Sequence, residues 1–255
     1  MSVPDLLLLA LAGFAAGGMN ALAGGGTFFS FPALLAAGLP PVTANATNAV
    51  ALWPASLAGA WAARASLRPL GRYLIPLLLA GLAGGLLGGL LLLAGGDDVF
   101  RVLIPWLLLA ATALFAASPW LGRWLAAHRK VFEHPPHTPL SLGAHIGVSI
   151  YGGYFGAGMG ILQLAAFSIE GHPLARANAL KNLISAVIYS IATLTFVIAG
   201  RVSWYELAIL LTGATIGGYV GGALGEKLPP ALLRSFVILV GSTMTLYYFW
   251  STYLG

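Results

Sequence analysis

Apolar positions run along this chain for lengths that soluble helices and strands do not use. Residues 6–63 contain no Asp, Glu, Lys or Arg, and further uncharged runs cover 73–96, 102–122, 182–200 and 235–255. A helix needs roughly 20 apolar residues to cross a hydrocarbon core of about 30 Å. Six stretches meet that length, at about 44–63, 74–95, 100–121, 180–199, 204–225 and 235–254. Two more apolar stretches, 6–37 and 140–169, fit the rule poorly. A continuous helix of that size would be about 45 Å long, and two full spans would need roughly 40 residues. Each is interrupted by glycines, GGMNALAGGGT at 17–27 and GGYFGAGMG at 152–160. A helical hairpin that enters, turns at the glycines and leaves by the same face fits the length. Backbone outside a helix is tolerated at membrane depth where protein buries it or where it lines a cavity.

The two breaks belong to a repeat. Gly18, Gly24, Gly26 and Asn48 map onto Gly152, Gly158, Gly160 and Asn182 with a single offset of 134 residues. Gly81, Gly85 and Gly89 recur as Gly213, Gly217 and Gly221 at an offset of 132, and Gly225 extends the second row. Small residues one turn apart let membrane helices approach closely, so these rows read as scaffold. The expected organisation is a first repeat over 1–120, a cytoplasmic linker over 121–139 and a second repeat over 140–255. The expected fold is an all-α membrane protein of two homologous repeats, each a Gly-broken re-entrant hairpin plus three transmembrane helices.

Charge chooses between orientations. With re-entrant breaks the second repeat is inverted, and one face carries Arg64, Arg68, Arg72, Arg123, Arg129, Lys130, Arg176, Lys227 and Arg234 against Arg101 and Arg201 on the other. That is nine against two. If both broken segments cross fully, the split is seven against four. Basic loops collect in the cytoplasm, which favours the inverted arrangement. Trp120, Trp124, Trp204, Tyr205, Trp250 and Tyr253 fall near span ends, as interfacial aromatics do; Trp53 and Trp106 are expected deeper, packed in the bundle. His128, His134 and His137 are expected in a solvated linker, Glu170 and His172 at the interface, and His145 as a packed histidine.

Composition narrows the function. Hydrophobic residues make up 59% of the 255-residue chain and charged residues 7%, with no cysteine and a net charge of +5. The basic excess orients spans and calls for no nucleic-acid partner. The start lacks a basic n-region and carries Asp5, against a cleaved signal peptide. There is no H-E-x-x-H, G-x-S-x-G or Walker end, and GAGMG at 156–160 interrupts an apolar segment where no Rossmann strand precedes it. No enzyme, cofactor or metal site is expected. Paired, glycine-interrupted segments in two halves of a membrane protein point instead to the binding site of a secondary transporter. A passive anion channel and a membrane assembly protein are the alternatives, separated by counter-exchange, unitary currents or neither.

The candidate site follows from the breaks. A half-helix starting after Gly24, Gly25, Gly26 and Thr27, and another after Gly158 and Gly160, present N-terminal N–H groups with about half a positive charge. Such ends take anions without a basic side chain, and glycine admits φ > 0 and close backbone approach. Asn20, Thr27 and Gln163 lie at the breaks. Asn45 and Asn48 are spaced i, i+3; Asn178, Lys181, Asn182 and Ser185 share one helical face. Buried amides also bond between helices, so contact with a ligand and helix bonding both stand for Asn45 and Asn178. Lys181 is the one basic residue well inside a span, which marks it as functional unless it snorkels to the interface.

The stretches 23-AGGGT-27, 31-FPALLAAGLPP-41 and 44-ANATN-48, with 151-YGGYFGAGMG-160 and 177-ANALKN-182, resemble the sulfite exporter TauE/SafE family, also called the 4-toluene sulfonate uptake permease family. The likeness spans essentially the whole chain. It implies a multi-pass protein of a bacterial-type plasma or inner membrane that exports sulfite, organosulfonates or related small sulfur-containing anions. A coupling proton or sodium ion and a homo-oligomer stay open. Many relatives read GFYDGFFGPG at the second break, with an Asp where this chain has Gly152 or Gly153, so this break carries no carboxylate of its own.

Overall fold

The computed structural model describes residues 3–22, 25–128, 137–224 and 230–254. All regular structure among them is helical. The first break separates α1 (Val3–Leu22) from α2 (Thr27–Ala36), and the second separates α6 (Pro139–Tyr154) from α7 (Met159–Ile169). Between them run α3 (Pro41–Ala62), the short α4 (Arg64–Leu67), a 3-10 turn (Arg68–Tyr73) and α5 (Leu74–His128); α8 (Leu174–Ile198), α9 (Trp204–Leu224) and α10 (Pro230–Tyr253) complete the chain. α5 is two arms, 74–95 and 97–128, joined at Gly96, whose φ of 67° takes it out of the helix. Three described stretches combine the length and apolarity of a membrane span: Val3–Asn20, Arg64–Leu125 (long enough for two) and Leu174–Ile198. α3 has the length, but Thr43, Asn45, Thr47 and Asn48 sit in its first half.

Glycine rows set which helices touch. A Cβ on Gly17 would fall 1.9 Å from the Ala214 carbonyl oxygen, and one on Gly217 1.9 Å from that of Phe14. Gly13 likewise abuts Leu210, and Gly213 abuts Ala10. These matches ascend together, so α1 and α9 lie side by side and parallel. The first arm of α5 and α6 do the same, with Gly88 against Ile150 and Gly153 against Gly85. The tightest contact on that arm is made by Gly84 and Gly88, one residue before the Gly81, Gly85, Gly89 row, which faces α8 through Ile184, Ile188, Ile191 and Thr195. No water competes in lipid, so bare backbone contact of this kind is what holds such helices together.

α3 and α8 cross the centre antiparallel. Trp53 Nε1 donates to Ser190 Oγ at 2.8 Å and Asn182 Nδ2 reaches the Gly59 carbonyl at 3.5 Å. The second arm of α5 and α10 also run antiparallel: Trp106 Nε1 donates to Tyr253 Oη at 3.1 Å, and Thr112 lies beneath Gly241. Trp53 is packed against the core as expected. Trp106 is not: 54% of it is exposed, because its edge of α5 meets only the end of α10 and otherwise faces outward.

Candidate functional site

A cavity of about 730 Å³ opens where the two breaks meet. Gly25 to Phe28 at the head of α2 and Gly156 to Gly160 at the head of α7 form two of its walls. Residues 51–59 of α3, Asn178 to Tyr189 of α8 and Leu211 to Gly218 of α9 form the others, with Gly17 and Asn20 of α1. Lys181 is the only charged side chain that lines it among the described residues. Its aliphatic stem passes 3.6 Å from where a Gly160 Cβ would stand, so the absence of a side chain at 160 gives that stem its room.

Of the site residues read from the sequence, Asn20, Gly25, Gly26, Thr27, Gly158, Gly160, Asn178, Lys181 and Asn182 come together on this lining. Gly24 lies outside the described residues. Asn45, Asn48 and Gln163 are buried but off the lining. Asn45 Nδ2 donates to the Tyr154 carbonyl at 2.9 Å, Asn48 Oδ1 accepts from Ser30 Oγ, and Gln163 Oε1 accepts from Ser185 Oγ at 2.8 Å. Tyr189 and Ser56 line the cavity and were not singled out in the sequence. Tyr189 continues the Asn178, Lys181/Asn182, Ser185 face by one more turn, so the same spacing held its signal.

The breaks use glycine for different reasons. At the second, Gly156 (φ 81°) and Gly158 (φ 76°) are left-handed, the conformation only glycine adopts freely, and Gly158 caps α7. At the first, the expectation of φ > 0 fails at Gly26, which is right-handed at φ −55°. There a Cβ would sit 2.7 Å from the Ala16 carbonyl oxygen. Glycine is needed for closeness to α1, not for turning.

Beyond the cavity's lining at Ala51, Phe28 and Gly156, several contacts tie the helices together. Val42 N donates to Asp97 Oδ1 at 2.8 Å, Ser203 N to Thr47 Oγ1 at 3.0 Å, and Arg201 Nη1 lies 3.9 Å from Asp97 Oδ2. Phe31, Phe100 and Phe155 pack as a buried trio close by. Exposure rises the other way, from buried Tyr189 through half-buried Ser185 and Lys181 to exposed Asn178. The mouth therefore lies at the ends of α3 and α8 that carry Arg64 and Arg176.

Behind that mouth sits a cluster of titratable groups that the sequence did not bring together. Glu170 Oε1 accepts from Ser141 Oγ and from His145 Nε2, both at 2.7 Å, which ties the end of α7 to the start of α6. Tyr73 Oη pairs with His172 Nε2 at 3.0 Å, and His137 Nε2 lies 2.9 Å from the Tyr73 carbonyl oxygen with its ring stacked at 4.1 Å. His172 is fully buried, and His137, expected in a solvated linker, is instead docked on Tyr73. His145 is packed, as expected, at 2% exposure. His134 lies outside the described residues, as does the side chain of His128. Burial, aided by the charges of Arg176, His137 and His145, pushes His172 down to about 4 against the pull of Glu170. For Glu170, burial works upward, but the bonds from His145 and Ser141 and the two histidine charges outweigh it and hold the carboxyl below its ordinary range.

A family model described as sulfite exporter TauE/SafE matches residues 9–248. A curated protein named "Probable membrane transporter protein YfcA" from Escherichia coli (strain K12) is 28% identical over 232 residues, covering 90% of this chain and 84% of its own. A "Probable membrane transporter protein" of Haemophilus influenzae is 29% identical over 247 residues, covering 94% of this chain and 93% of its own. A third, "Probable membrane transporter protein ORF9" from Sinorhizobium sp, is 28% identical over 250 residues, covering 94% of this chain and 91% of its own. No solved structure matches.

Proposed function

The chain belongs to the sulfite exporter TauE/SafE family, a multi-pass membrane transporter of the bacterial cell membrane, and we propose that its cargo is sulfite, an organosulfonate or a related small sulfur-containing anion. The observation that carries this is the cavity bounded by the heads of α2 and α7, with Lys181 as its only charged lining side chain among the described residues. Two helix N-termini and one ammonium suit a tetrahedral or pyramidal oxyanion that accepts several hydrogen bonds at once. Asn178, Asn182 and Ser185 supply further polar atoms on the lysine's face.

The same reading takes the repeats as inverted and the breaks as re-entrant. Support comes from the antiparallel pairing of α3 with α8 and of the second α5 arm with α10, since parallel repeats would run each pair the same way. The bonds from Ser141 and His145 to Glu170 support a hairpin whose start and end share a face. Export is favoured because the open mouth carries the basic ends that belong in the cytoplasm, while the helices on the far side are tied together around Asp97.

Counterflow into proteoliposomes tests the reading. Preloaded unlabelled methanesulfonate should drive saturable uptake of the labelled anion. Unitary currents in place of saturable exchange would establish the channel alternative, and neither exchange nor current would leave a non-transporting protein.

A further inference from the structure

The chain between α3 and α5 builds a fixed basic edge at the mouth's face. Arg64, Arg68 and Arg72 are all exposed, whereas Leu67 and Leu70 between them are buried at 7% and 3%. Trp61, 70% exposed, lies directly before them; the Arg64 guanidinium sits 4.5 Å above its ring and Nη1 donates to its carbonyl at 2.8 Å. Among the described residues no carboxylate pairs with any of the three arginines. Nor does the segment swing freely. Leu67 and Leu70 pin it to the core, and at its end Tyr73 is held by His172 and His137.

We propose that Arg64, Arg68 and Arg72, bordered by Trp61, form a docking surface for anionic phospholipid headgroups of the leaflet at this face. Charge complementarity names the occupant: three guanidiniums with no carboxylate partner among the described residues meet phosphates at the membrane edge, and guanidinium binds phosphate in a fork. An exposed tryptophan next to them sits well at headgroup depth. A general positive-inside bias needs only a count of charges. A docking surface needs these three positions, and that difference is testable. The inference stands whatever the cargo is.

The purified full chain in detergent is titrated with brominated phosphatidylglycerol or brominated phosphatidylcholine, and tryptophan quenching is read. Each arginine near an anionic surface contributes about fivefold, so wild type should prefer phosphatidylglycerol by roughly a hundredfold. The preference should fall to a few-fold in the triple variant Arg64→Gln, Arg68→Gln, Arg72→Gln. It should be reduced only partly when all three become lysine, which keeps the charge and loses the fork, and be unchanged in Arg123→Gln, an exposed basic residue elsewhere on the same face. High salt, with a screening length of about 3 Å at 1 M, should erase it in wild type. If the glutamine triple does not fold, the single variants Arg64→Gln, Arg68→Gln and Arg72→Gln are read in its place, each expected to lose about fivefold against no loss in Arg123→Gln. Equal quenching by the two lipids in wild type, an undiminished preference in the glutamine triple, or an equal loss in Arg123→Gln would overturn the proposal.

Discussion

Lys181→Met is the variant that most directly tests how the cavity holds its anion. Methionine keeps the stem that runs past Gly160 and removes only the charge. The bare attraction of two unit charges about 4 Å apart, at an effective dielectric near 20, is about 4 kcal/mol. Stripping water from both ions offsets part of this, leaving the roughly 1.5–3 kcal/mol typical of a charge-assisted hydrogen bond. Each 1.4 kcal/mol is about tenfold, so methanesulfonate should bind the variant about ten- to a hundredfold more weakly by calorimetry. Methanesulfonate stays ionised throughout the working pH range, so its own titration does not enter. Lys181→Arg should be intermediate, because the charge stays but its shape no longer fits the same space. The variant should fold at least as well as wild type, since it removes a half-buried charge whose partner is the cargo. Wild-type affinity in Lys181→Met, with Asn182→Ala also silent, would take α8 out of the site.

Gly17→Ala and Gly217→Ala should each lower the melting temperature or the folded yield sharply, since their Cβ atoms would meet backbone at 1.9 Å and overpacking costs about 1–3 kcal/mol or more; Gly143→Ala and Gly147→Ala, with open space around them, should be neutral or stabilising. Gly158→Ala should destabilise by about 1–2 kcal/mol through left-handed strain, whereas Gly160→Ala, whose nearest neighbour is the Lys181 stem at 3.6 Å, should fold normally and weaken anion binding. Acid should destabilise the protein between pH 6.5 and about 4, because His172 is held neutral in the fold while the unfolded chain takes up its proton; His172→Gln should flatten that limb of the melting-temperature profile, and an unchanged profile would remove the assignment. Loss of the Glu170 contribution should follow only at lower pH, as its depressed carboxyl protonates. The chain has no cysteine, so single cysteines at Arg68 and Leu140 should label from the cytoplasm and one at Ser203 from outside; labelling of Arg68 and Ser203 from the same side would reject the inverted arrangement.

Sequence alone determined what depends on lipid and on local backbone. Apolar length marks spans because a bilayer imposes a thickness, and the glycine-rich stretches at 17–27 and 152–160 marked where breaks fall but not their edges: α1 holds Gly17 and Gly18 and α6 holds Gly152 and Gly153, while Gly25, Gly26, Gly156 and Gly158 lie outside a helix. The spacing of Asn178, Lys181, Asn182 and Ser185 told which side chains share a face, and that face turned out to line the cavity. Helical spacing does not say which helix covers a face. Asn48 has the same spacing logic as Lys181, yet it is spent on Ser30, because α2 packs over that side of α3. Trp106, placed by its depth in an apolar run, lies at the surface, because its neighbour α10 covers only one edge. Tyr73, His137, His145, Glu170 and His172 come from four separate segments, and none carries a local signal pointing to the others. Only the packing of α6, α7 and α8 around the end of the 3-10 turn brings them within bonding distance, and burial there holds His172 neutral.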